Sequence, residues 1–172
     1  MNSVNDALRG TRSAVNSVIA SAEASGASWV VPRAPGKWSP AQIVEHVARS
    51  LEESAKEVAG VPSKFPTFPS LVRPLVRTFF FSRVLKNQAF PKARTTKPMN
   101  PSHGPDTPAA GRVRLEDACQ RFERECRSAS ERGSLMTSGL FGSVSIVDYV
   151  RFQELHTLHH LRQMGESAPA RR

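Results

Sequence analysis

The sequence predicts an all-α protein, a four-helix bundle carrying one long insertion. Three observations predict it. Four stretches of about 20 residues place apolar side chains at helical spacing, strand-type alternation is nearly absent, and nine of the thirteen prolines fall in one segment, residues 61–114. A chain of 172 residues is expected to form a single domain, residues 1–172, with the insertion 61–114 between its second and third helices. Its 39% apolar and 23% charged residues exclude collagen-like, disordered and disulfide-framework classes.

The first helix is expected from about Ser3 to Ser25, with Val4, Leu8, Thr11, Val15, Val18, Ile19 and Ala22 on one face and Gly26 as its stop. Trp38-Ser39-Pro40-Ala41-Gln42 opens the second: Ser39 caps, Pro40 suits the first helical position, and Gln42 completes a capping box. Ile43, Val47, Leu51, Ser54 and Val58 form its stripe, which ends near Gly60. The third helix is expected from about Val113 to Arg132, closed by Gly133. Its Cys119 and Cys126 stand seven residues apart, about 10 Å along a helix, which is beyond disulfide reach; they are expected to be reduced core residues. The fourth helix is capped by Ser145, with Asp148 three residues on, and runs to Met164 before Gly165.

The formal charge of +9 is uneven along the chain. The insertion holds ten Lys and Arg against the single acid Asp106, whereas the rest of the sequence holds fourteen of each sign. Within it, Leu71 to Leu85 is apolar nearly all round and is expected to form a short helix packed on the bundle, and residues 91–111, rich in proline, are expected to be a long loop. The start of the chain has no signal-peptide pattern and no stretch approaches 18 apolar residues, so a cytoplasmic protein without a transmembrane segment is expected.

Three of the five histidines sit together in Leu155-His156-Thr157-Leu158-His159-His160-Leu161-Arg162-Gln163. Residues four apart on a helix are neighbours, so His156 and His160 can point two imidazoles at one ion, on the face that also carries Tyr149 and Phe152. His159 falls to one side. Spacing alone also admits core histidines bonded to polar groups, or histidines wetted at the end of a bundle. His46, at the edge of the second helix's apolar stripe, and His103, in the proline-rich loop, are competing third ligands; solvation is the simpler state for His103.

Two motifs carry a resemblance. Trp38-Ser39-Pro40-Ala41-Gln42-Ile43-Val44-Glu45-His46-Val47 resembles the start of the second helix in DinB/YfiT-like proteins, and His156-Thr157-Leu158-His159-His160-Leu161-Arg162-Gln163 is similar to the last-helix motif of a DinB-like subgroup of the HxxHHxxQ form. Residues 61–114 match neither. The resemblance implies an up-down-down-up four-helix bundle holding a divalent metal on three histidines, which fall here on His46, His156 and His160, with His159 at a non-ligating position.

It also implies a chemistry: metal-dependent transfer or isomerisation with a low-molecular-weight thiol such as bacillithiol, mycothiol or glutathione, acting on an electrophilic small molecule. Three neutral imidazoles leave an open coordination position, and the cation favours a bound thiol as thiolate. Zinc suits such a set, and nickel or another first-row ion competes through availability. Lys and Arg of the insertion, as one wall of the site, would then favour anionic ligands. Gln163 and Glu154 are candidate partners of the ligating rings. Tyr149 is read either as a hydroxyl beside the metal or as a packed aromatic, Trp38 as a packing residue where the second helix begins, and Glu45 as solvated. No catalytic residue is assigned from sequence. Family likeness also implies a homodimer, for which Leu71–Leu85 offers apolar surface. The contrasting reading is a binding module without turnover, whose basic, Phe-containing insertion engages a membrane surface, an acidic protein or nucleic acid; against it, the prolines disfavour a long amphipathic helix, and without a helix-turn-helix or zinc-finger pattern nucleic acid is not expected.

Overall fold

The computed structural model describes residues 3–91 and 95–165. Lys92 and Arg94, two of the ten basic residues of the insertion, lie outside the described residues. In chain order the elements are α1 (Val4–Ala24), α2 (Pro40–Ala59), α3 (Arg73–Val76) running through a π-helical stretch (Arg77–Phe81) into α4 (Ser82–Asn87), then α5 (Pro108–Arg132), β1 (Leu135–Ser138), β2 (Gly142–Ser145) and α6 (Ile146–Gln163). The protein is mostly helical, as expected, and α1, α2, α5 and α6 are its bundle.

Local chemistry fixes the ends of these helices. Ser3 accepts from the amide of Asp6, whose carboxylate accepts from the Ser3 amide in return; Ser39 and Gln42 repeat the exchange at α2. α2 stops at Gly60, whose left-handed φ of 73° carries no Cβ penalty. Inward faces then meet in one core around Leu8, Val15, Leu51, Leu115, Phe122 and Leu161, all 2% exposed or less. Each such side chain contributes about 1.5–3 kcal/mol by leaving water.

Ion pairs read out the direction of each helix. Glu45 and Glu52 of α2 accept from Arg114, and Glu52 also pairs with Arg121 further along α5, so α2 and α5 run the same way. Glu23 with Arg112 and Arg12 with Glu123 place α1 antiparallel to α5. His46 lies beside His156, and Glu57 beside Tyr149, so α2 and α6 are antiparallel. The order is therefore up-down-down-up, which needs the long connection between α2 and α5. α2 packs mainly on α5, and α1 on α6 and α5, leaving α2 and α6 more loosely joined; a cavity opens between them.

Several expectations need correction. The third bundle helix begins at Pro108, capped by Thr107, rather than near Val113, so the proline-rich loop ends earlier. Thr107-Pro108 repeats the Ser39-Pro40 signature, and the four prolines upstream of it obscure the start. Arg112 and Arg114 consequently belong to the bundle, as partners of Glu23, Glu45 and Glu52, and not to the insertion. Glu45 is not solvated; it accepts from both Arg49 and Arg114. Strands are present: β1 and β2 form an antiparallel hairpin, Leu135 opposite Ser145 and Ser138 opposite Gly142. The Leu71–Leu85 segment is helical from Arg73 on, and buries Phe81 and Val84, but Leu71, Leu75 and Phe79 are exposed.

Candidate metal centre

The centre is assembled where the first turns of α2 meet the last turns of α6. His46 and His160 are each 4% exposed, and His156 faces the cavity between them. The Nε2 atom of His156 lies 3.3 Å from that of His46 and 3.1 Å from that of His160, and the three candidate ligand atoms fall within 4.8 Å of one another. A tetrahedron with metal–nitrogen bonds of 2.0–2.1 Å has edges of about 3.3 Å, so the spacing suits one ion the size of zinc.

The outer side of two rings fixes their tautomer. His46 Nδ1 donates to the Met99 carbonyl at 2.8 Å, and His160 Nδ1 donates to Gln163 Oε1 at 2.9 Å. Both Nε2 atoms therefore point unprotonated lone pairs at His156, whose own Nε2 can supply one proton for two acceptors. A cation relieves that repulsion, and the donor set fits one. Burial also keeps the rings neutral: it lowers the pKa of His46 to about 4 and drives those of His156 and His160 well below the usual imidazole range.

The proline-rich segment that follows α4 is a strap pinned across the start of α2. Gln42 Nε2 donates to the carbonyls of Pro101 and Ser102, Trp38 Nε1 to Asn100 Oδ1, and Trp29 Nε1 to the Pro105 carbonyl. Gly104 lies so close to Ala41 that a Cβ there would fall on the Ala41 carbonyl. This bracing holds the Met99 carbonyl against His46. Sequence reasoning missed Met99 because the useful atom is a backbone oxygen, which no residue type signals. Trp38 does more than pack where α2 begins: its ring lies 4.7 Å from that of His46 and stacks at 5.8 Å on that of His160.

Other candidates sort cleanly. Gln163 touches His160, whereas Glu154 turns to α1, its carboxylate resting where a Cβ of Gly10 would be. His159 bonds Gln163 and stays outside the triad. His103 is exposed, hydrogen-bonds Ser102, and is not among the three clustered histidines. The Tyr149 hydroxyl donates to the buried Glu57 carboxylate at 2.8 Å, so Tyr149 is a packed aromatic rather than a hydroxyl at the histidines.

The histidines open into a cavity of about 690 Å³. Phe80, Phe90, Phe141 and Phe152 line one side of it; the Phe90 ring lies 4.7 Å from that of Phe152 and 5.3 Å from that of His156. The expected basic wall is, among the described residues of the insertion, an aromatic one, to which Phe80 and Phe90 contribute. The described cations that line the cavity are Arg33 and Lys37, both exposed and both in the loop before α2. Arg33 also donates to the Gln163 carbonyl at the end of α6.

A family model described as the DinB superfamily matches residues 7–164. No curated protein and no solved structure gives a match.

Proposed function

This chain belongs to the DinB superfamily, and from that premise we propose that His46, His156 and His160 hold one divalent metal ion, zinc or nickel, at the centre of a thiol-transfer enzyme. The observation that carries the proposal is the convergence of three Nε2 atoms, two of them held as lone-pair donors by Met99 and Gln163. Bound there, the ion supplies an open position that favours a low-molecular-weight thiol as its nucleophilic thiolate.

The chain's own residues supply the rest. Met99 and Gln163 orient the rings, the phenylalanine wall excludes water and accepts an apolar electrophilic substrate, and Arg33 and Lys37 at the rim favour the carboxylates of a thiol such as bacillithiol, mycothiol or glutathione. Neither cysteine of the chain competes as nucleophile. Burial pushes the Cys119 thiol up to about 12 and the Cys126 thiol higher still.

Metal analysis of the purified chain is expected to give about one equivalent of a divalent ion, lost in the His156→Ala, His160→Ala double variant. Retention of the ion by that variant would sink the ligand assignment. The transfer reaction is tested by consumption of each of the three thiols against a panel of alkyl and aryl halides, with the chelated protein as control. A homodimer, the form we propose in solution, is read by light scattering on the same sample.

A further inference from the structure

We propose that Gln153, together with Ser50, forms a hydrogen-bonding subsite in this cavity, one that takes the uncharged hydroxyl or amide end of a flat apolar substrate. The proposal deepens the reading above and rests on it for the word substrate; binding at the subsite itself needs no metal.

Gln153 precedes His156 by three residues and His160 by seven, so it lies on the same face of α6 about one turn deeper. It is 4% exposed and lines the cavity, yet its Oε1 has no hydrogen-bond partner among the described residues. An unpaired buried amide is costly where a leucine would fill the same space with no polar atom to satisfy. Such a group is accounted for by a partner that arrives with the ligand. Ser50 stands in the matching place on α2, four residues after His46, also 4% exposed and lining the cavity. Its hydroxyl can donate or accept.

The surroundings select the ligand's chemistry. Tyr149, the next polar group down α6, has committed its hydroxyl to Glu57 and Ser54, so it offers the ligand no free donor. The Glu57 carboxylate behind it disfavours an anionic end at this depth, and the cavity's described cations, Arg33 and Lys37, are at the exposed rim. Phe141 and Phe152, with ring centroids 5.3 Å apart, supply flat apolar contact beside the subsite. A neutral donor on an aromatic or planar body fits all three conditions.

The test uses p-cresol and p-xylene, which share a shape and differ by a hydroxyl in place of a methyl. Each is titrated into the full chain by ligand-observed NMR, before and after EDTA. The wild-type chain is expected to prefer p-cresol by about tenfold in both states, Gln153→Leu to abolish or invert the preference while folding as stably as the wild type, and Ser50→Ala to reduce it. Three results would overturn the subsite: no preference or no binding in the wild type, an unchanged preference in both variants, or a preference that disappears with EDTA, which would put the hydroxyl on a metal. The two readings fail separately. A chain that binds no metal but keeps the cresol preference refutes the metal site alone, and one that binds metal without the preference refutes the subsite alone.

Discussion

Gln163 and Met99 act on the histidines by accepting from their Nδ1 atoms, on the side of each ring opposite the candidate ligand nitrogen. Partners of this kind set ring orientation and tautomer, and their loss typically costs about 10–100-fold in metal affinity. Gln163→Leu is therefore expected to weaken zinc binding by that factor in a chelator competition. Acid should act through the same rings. Burial lowers the pKa of His46 from 6.5 to about 4, so in that interval the unfolded chain takes up a proton that the folded chain refuses. His46 thus favours the folded state fully above pH 6.5 and loses that contribution as pH falls towards 4; His156 and His160, lowered by burial as well, act in the same direction. Melts of the chelated protein are expected to show a falling transition temperature from pH 7 to 4.5, and a flat profile would contradict the burial. At the other end of the scale, Cys119 and Cys126 are buried and reluctant to ionise. Iodoacetamide at pH 8 is expected to label neither until denaturant is added, with mass spectrometry as the readout.

The caps and the strap show how elements deliver those atoms. Ser39 caps α2, and Gln42 uses its oxygen for the capping box and its nitrogen to hold Pro101 and Ser102. Ser39→Ala is expected to cost about 1 kcal/mol in denaturant melts. Gly104→Ala should do more, since its Cβ would displace either the strap or the backbone of Ala41, and it should lower zinc affinity along with stability because the Met99 carbonyl moves with the strap. The four bundle helices were legible because each carries a local start signal and an apolar stripe. The hairpin was not. Leu135–Ser138 is four residues long, and what anchors it is remote: the Glu57 carboxylate accepts from the Ser138 hydroxyl and the Gly139 amide, and the Gly139 carbonyl accepts from the Phe68 amide.

For the molecule as a whole, the bundle and the insertion divide the charge differently from the sequence segments. With Arg112 and Arg114 paired inside the bundle, residues 61–107 retain eight Lys and Arg against Asp106. Among them Arg83 and Lys86 are exposed on α4 and do not line the cavity, and Leu71, Leu75 and Phe79 are exposed as well. No described helix is long and apolar enough to cross a membrane. If the basic segment engages an anionic partner, Arg83→Glu with Lys86→Glu should lower the salt needed to elute the protein from heparin; the metal content is expected to stay at one equivalent, because neither residue touches the triad. The sequence by itself determined the four helices, the long crossover that their order requires, and the histidines on α2 and α6, since periodicity, caps and motif spacing are local and travel with the residue types. Only the tertiary structure decided that the Met99 carbonyl holds His46, that the described residues of the insertion present phenylalanines rather than cations to the cavity, and that the Gln153 Oε1 has no partner among the described residues. Each of these depends on backbone carbonyls and side chains separated by tens of residues in the chain, and no residue type announces which of its atoms will be covered when the helices close.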